Sequence, residues 1–374
     1  MKESLNYTIK KLVDWLVRKR STGLLIMRVG AGIIGLTAVG NLAGNVLYTD
    51  SARTVELNVL SSDTPVFLLY GGFLLGATLI ATGLIWEGIL YVRESRRLAK
   101  KQVIAIEQRG LVNTTDSPLF NYVEKKNKGK KIDRIVVDIR DRLLNGSVSS
   151  PQLAIQKFLH IGQSIEERTN QVSPEDVEIV YGGLVPVPFA FLTGYLLDDE
   201  THVEVLDWDR KLSGWRELDA VDDNDSFVID SSPLYPTTKE VVLAVSFSYV
   251  VDKEGIEKAF PDIPKIYLQL TNQRFDNHWS KHKQDRLAYE FFEVIKSFLA
   301  NDIEQVHLIL ACQNSVAFRF GQAYDKRNLP PITVYQYERK GTIRYPWGVH
   351  LSQSVLNQPC IFNMFDEELK TETT

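Results

Sequence analysis

VHLILACQNSVAFRFGQAYDKRNLPPITVYQYER, residues 306–339, decides how this chain reads. An apolar run, Val306–Ala311, stops at small residues and gives way to Gln313–Asn314–Ser315. Apolar residues then recur at helical spacing over Val316–Tyr324, the turn residues Asn328–Pro331 follow, and Ile332–Tyr337 alternates like a strand. This is strand, small-residue loop, helix, strand. The same order occurs earlier: EIVYGG from Glu178, AFLTG at Ala190–Gly194, and VEVLDWDRK at Val203–Lys211. Ala190 matches Ala317, Gly194 matches Gly321, and Trp208–Asp209–Arg210 match Tyr337–Glu338–Arg339. A shared order at a nearly constant offset points to an internal duplication.

Around these two units the alternation continues. Leu153–Arg168 and Asp285–Leu299 have helical periodicity, while Glu240–Val251 and Lys265–Leu270 read as strands. Strands alternating with helices predict an α/β layer with parallel pairing. In such sheets ligands bind at the carboxyl ends of the strands, and a helix start there presents free N–H groups suited to phosphate. The loops Gly182–Gly183–Leu184 and Gln313–Asn314–Ser315 are therefore candidate ligand contacts. A plain helix cap with packing glycines explains either loop alone; their repetition favours a composite pocket. Arg210, Lys211, Arg339 and Lys340 end the matched strands and are candidates for phosphate. Trp208, Tyr337 and Trp347 are candidates for base stacking, with core packing an equal alternative for the first two.

Towards the N-terminus the composition changes. Residues 29–49 and 64–86 hold no charge, and about 20 apolar residues cross a bilayer core. We assign a lead-in at 1–22, a first transmembrane helix at 23–48, an outer loop at 49–64 and a second helix at 65–92. Residues 1–22 carry six basic side chains and 93–101 carry five, while the intervening loop has only Arg53. Positive-inside bias puts both termini in the cytoplasm. Gly40/Gly44 and Gly72/Gly76 form two G-x-x-x-G pairs for close packing, within the hairpin or between copies. Residues 93–131 read as a basic linker, with EKKNKGKK at 124–131 either a solvated tether or a lipid contact. The soluble region then runs 132–374, in halves 132–235 and 236–374.

Other chemistry is missing from the sequence. The net charge of −4 argues against a DNA or RNA polymer as partner. Cys312 and Cys360 cannot build a disulfide framework or a four-thiolate metal site, and His278 and His282 lack a third ligand. There is no P-loop, G-x-S-x-G or H-E-x-x-H. The reading is of a non-enzyme with neither metal nor cofactor.

The 306–339 stretch, with the Tyr267–Leu270 strand, the Arg274–Trp279 loop and the Asp285 helix before it, resembles the signature region of SAVED domains. Gln313–Asn314 stands where that family has a small residue or proline. The resemblance covers about 132–360. It implies two fused CARF-like, Rossmann-like subdomains, matching the duplication, and a sensor of cyclic oligonucleotides, a cyclic trinucleotide first among them. It further implies an anti-phage (CBASS) effector in the bacterial inner membrane, with a ligand made by a CD-NTase. On ligand binding the protein would form a homo-oligomer whose hairpins disrupt membrane lipid. A membrane-anchored scaffold that recruits a partner, or a nucleotide-degrading enzyme, are the alternatives.

Overall fold

In the computed structural model the described residues are 21–40, 46–50, 53–57, 66–111, 116–144, 147–198, 202–231, 237–339, 343–352 and 358–364. The chain divides into two compact units, Met1–Leu98 and Ala99–Thr374.

The first unit holds α1 (Thr22–Gly40), a β1–β2 hairpin (Val46–Asp50 with Arg53–Leu57) and most of α2 (Val66–Lys100). In α2 the stretch Tyr70–Arg97 is long and apolar enough to cross a membrane; the apolar run of α1, Thr22–Gly35, is shorter. The first span was expected to reach residue 48. Its helix ends at Gly40, and Val46–Asp50 is an antiparallel strand, because Val46, Tyr48, Val55 and their neighbours pair across the hairpin. The second helix continues past the expected Val92 to Lys100.

Glycines set the spacing of α1 and α2. A Cβ on Gly30 would lie 2.6 Å from the Gly76 carbonyl oxygen, and one on Gly76 2.7 Å from that of Gly30. Gly23 and Gly83 meet in the same way, and a Cβ on Gly72 would lie 2.5 Å from Thr37 Cγ2. The Ser21 hydroxyl donates to Glu87 Oε2 at 2.8 Å. Gly72 and Gly76 therefore serve contact within one hairpin. Gly44 and the lead-in 1–20 lie outside the described residues, and Gly40 is described only as the end of α1. Gly30→Leu with Gly76→Leu is expected to force the helices apart. A Ser21→Cys, Glu87→Cys pair should cross-link readily in the parent and several-fold less in that variant; equal yields would contradict the seam.

The second unit begins where a linker was expected. β3 (Gln102–Arg109), α3 (Leu119–Lys126) and β4 (Lys131–Asp138) occupy most of 93–131 and run past it. β3 is central to its sheet. Val103 and Ala105 face α3, while Ile104 and Ile106 face the main core, as expected for a strand buried on both sides. Next come the short β5 (Leu143–Leu144) and β6 (Ser147–Val148), α4 (Pro151–Leu159), α5 (Ile161–Thr169) and β7 (Val177–Leu184). α6 (Val187–Leu197), β8 (Val203–Asp209) and β9 (Gly214–Glu217) complete the first half.

The second half contains β10 (Phe227–Ser231), β11 (Glu240–Ser246), α7 (Lys253–Ala259), β12 (Lys265–Leu270), α8 (Lys281–Leu299), β13 (Gln305–Ala311), α9 (Asn314–Ala323), β14 (Ile332–Tyr335), β15 (Trp347–Leu351) and β16 (Cys360–Asn363).

The sheets repeat each other. The first has the order β4-β3-β7-β8-β9, and the second β10-β12-β11-β13-β14-β15-β16. Both contain three parallel pairings and then an antiparallel one, and the second sheet adds an antiparallel strand at each edge, β10 and β16. The register agrees as well: Ile179 pairs with Val203 as Val306 pairs with Ile332. The duplication thus covers β3–β9 and β11–β15, beginning near 102 rather than 132.

Between the halves α6 crosses α9. A Cβ on Gly194 would fall inside the van der Waals shell of the Phe318 carbonyl oxygen, and one on Gly321 inside that of Phe191. The reciprocity marks a pseudo-twofold axis. α6 is apolar on nearly every side and buried on nearly every side, as that position requires. One continuous core joins the halves, and α3 and α7 cover separate small clusters on the outer faces.

Candidate functional site

The parallel strands of the second half end in Ser246, Leu270, Ala311 and Tyr335. Beyond three of these ends the chain leaves a cavity of about 380 Å³. Tyr249, Val251 and Asp252 follow β11; Ile309, Ala311 and Cys312 belong to β13 and its loop; Tyr335, Gln336 and Tyr337 belong to β14 and its extension; Tyr345 closes one side and Val187, at the start of α6, another. Crossover loops diverge from a parallel sheet at this edge, which is why it is open.

Aromatic rings dominate the lining. Tyr337 is 42% exposed, with its ring 5.7 Å from that of the buried Tyr345. Burial, with the Asp252 carboxylate nearby, pushes the Tyr345 phenol well above its ordinary pKa, so it stays a neutral donor. Asp252 caps α7 by accepting from Gly255 N at 3.0 Å, and its other oxygen lies 3.6 Å from Arg344 Nε. Arg344 also donates to the Arg339 carbonyl; it adjoins Tyr345 and Asp252 of the cavity lining and itself lines a second, larger groove. The arrangement can hold a flat ring between tyrosines with cationic groups beside it. The larger groove, of about 1090 Å³ and lined in part by Glu240, His307 and His350, lies toward the opposite ends of the strands.

In the first half the matching positions among the described residues are packed. Trp208 aligns with Tyr337 by register, but it packs edge-to-face on Trp215 at 5.3 Å. A Cβ on Gly182 would be 2.6 Å from the Trp215 ring, so Gly182 leaves room for an indole. The Gly183 position is closed by the Tyr181 hydroxyl, and Leu184 is buried.

The two predicted loops meet through Asn314, and their other polar groups bond to neighbouring elements. Val185 N donates to Asn314 Oδ1 at 2.7 Å, and Asn314 Nδ2 donates to Val185 O at 2.9 Å. Ser315 N donates to Asp207 Oδ2 at 3.2 Å, and its hydroxyl accepts from Gln284 Nε2 at 3.0 Å. Gln313 accepts from the Ser248 hydroxyl and donates to Phe275 O. These polar groups staple loops together, since a buried amide must find partners. Trp347 is corrected likewise: its ring is buried 5.3 Å from Phe189 and its Nε1 donates to Glu338 Oε1 at 3.3 Å. Arg210 and Lys211 are exposed, Lys211 pairing with Asp276 at 3.1 Å. Lys340 lies outside the described residues.

Of the predicted ligand contacts, only Tyr337 lines the cavity; Arg339 is exposed, with its carbonyl bonded to Arg344. The cavity residues Tyr249, Asp252 and Tyr345 were not singled out in the sequence. The Tyr-x-Tyr of β14 was the available signal; the others come from loops that only the fold aligns.

Two family models match this chain: the SAVED-fused 2TM effector domain over residues 2–155, and the SMODS-associated and fused to various effectors sensor domain over residues 161–351. The first extends across β3 and β4, which hydrogen-bond into a sheet with β7 and β8 of the second. No curated protein matches. Among solved structures, the Acinetobacter baumannii Cap4 SAVED/CARF-domain containing receptor with the cyclic trinucleotide 2'3'3'-cAAA is 15% identical, with a TM-score of 0.47. The alignment covers 76% of this chain and 58% of that one. The same receptor with 3'3'3'-cAAA scores 0.46 at 15% identity and the same coverage. The Moraxella osloensis Cap4 receptor scores 0.40 at 13% identity, covering 76% of this chain and 56% of its own.

Proposed function

The chain belongs to the SAVED family of sensor domains, here with a 2TM effector domain that associates it with a membrane, and from that premise we propose that a cyclic oligonucleotide activates it. The ligand is an oligonucleotide of the cyclic trinucleotide class made by a CD-NTase. The observation carrying this reading is the tyrosine-lined cavity at the carboxyl edge of the second sheet. Its volume of about 380 Å³ suits one nucleoside, at the small end of ligand pockets. Tyr337 stacks on that base while Arg339 and Arg344 meet the adjoining phosphate. Arg210 and Lys211 serve phosphates on the other half.

Output comes from the membrane part. Both termini are cytoplasmic, the ligand brings copies together into a homo-oligomer, and the clustered hairpins breach the bacterial inner membrane. Two helices per chain cannot enclose an aqueous path, so a single protomer is inactive.

Calorimetric titration of cyclic trinucleotides into the detergent-solubilised chain tests the site. Tyr337→Ala is expected to weaken binding about 10- to 100-fold, the value of one stacked base, with only a small change in melting temperature because the residue is 42% exposed. Unchanged affinity for Tyr337→Ala and Arg344→Ala together would remove the assignment. Dye release from liposomes with concurrent light scattering tests the output. Binding without release would favour a scaffold that recruits a partner.

A further inference from the structure

A basic surface lies where the chain enters its second unit, and the proposed nucleotide site does not use it. The helix α3 ends in Lys125–Lys126, the turn after it carries Lys128 and Lys130, and the edge strand β4 opens with Lys131 and Arg134. Lys131 N donates to Lys101 O at 3.2 Å, which fixes this turn beside the first residues of β3. Lys126 and Lys130 are committed to Glu204, Glu217 and Glu178, and Lys131 to Asp133. Lys125, Lys128 and Arg134 are exposed, and no acidic partner is recorded for them among the described residues. The three exposed cations, Lys125, Lys128 and Arg134, make this turn and edge strand electropositive, which suits an anionic surface.

Chain connectivity supplies such a surface. The continuous apolar stretch of α2 ends at Val92, where the charged run Arg93–Arg97 begins, and Lys100 lies eight positions further along the same helix. At 1.5 Å per residue that is about 12 Å, close to a Debye length in physiological salt.

We propose that the 125–134 turn and edge strand bind the anionic headgroups of the membrane in which the chain is anchored. The surface is electrostatic, reading headgroup charge rather than acyl chains, so it should weaken as salt rises. The proposal rests on membrane association and not on the nucleotide reading.

Hydrogen exchange of the full chain in nanodiscs tests it. Amides of 125–131 should exchange about tenfold more slowly in discs containing phosphatidylglycerol than in phosphatidylcholine alone. The difference should vanish in high salt, and in Lys125→Gln/Lys128→Gln/Lys131→Gln, whose side chains are surface groups. Equal rates in both lipids, or protection that survives the triple substitution, would overturn the proposal. Protection in neutral discs on adding inorganic phosphate would overturn it too, by showing a site for the soluble ion.

Discussion

Gly194→Leu, and independently Gly321→Leu, should unfold the second unit or lower its stability by about 3 kcal/mol or more. The cause is backbone against backbone: a Cβ at either position falls within the shell of a carbonyl oxygen on the facing helix. No rotamer relieves that, so α6 and α9 must separate and open a core shared by both sheets. Gly162→Ala is the control. It lies within α5 with nothing near its Cβ position, and should raise stability by about 0.5–1 kcal/mol. Urea melts of the full chain, followed by tryptophan fluorescence, would report both. Gly194→Leu melting like the parent would mean that the crossing has room the geometry denies.

The second large effect is at Lys283. This lysine is 1% exposed, with Nζ 2.8 Å from Asp223 Oδ1 and 3.7 Å from Asp225 Oδ2. Asp225 is itself buried and accepts from Asn272 N. Removing the cation strands a buried carboxylate, so Lys283→Met should cost about 3–5 kcal/mol. A loss below about 1 kcal/mol would show that the loop opens and the carboxylate regains water. Next to it the Arg286 guanidinium bonds Asp222 at 3.0 Å and holds that carboxyl below the ordinary range. The sign follows from the depressed folded value. This contribution is complete above the unfolded pKa, about 4, and is lost as pH falls through the lower folded value. The loop before β10 should therefore loosen as pH falls through that value.

The acidic run from Glu217 to Asp225 reads in the sequence as a solvated loop, because charge periodicity says nothing of a partner 60 residues away. Lys283 and Arg286 are that partner. The duplication was legible because AFLTG and AFRFG keep the small residue that the helix crossing demands. β3 was not: its apolar run Val103–Ile106 is only four residues long and lies between basic stretches that mimic a tether. Asn314 and Ser315 stand at a helix start as expected, and there they bond to Val185, Asp207 and Gln284; capping, stapling and ligand contact call for the same polar residues. Tyr337 was legible from the match to Trp208, yet the matched residues now differ, one packed on an indole and the other lining a cavity.

That divergence has a consequence for how such a receptor can change. In a symmetric pair of separate chains every substitution is made twice, and the contact between partners weakens on dilution. Here the two sides of the α6–α9 crossing are parts of one polypeptide. Their association is intramolecular and independent of protein concentration. A residue such as Trp215 can fill one half while the other stays open, so selection can tune occupancy on one side and structural integrity on the other, even in a cell that makes only a few copies.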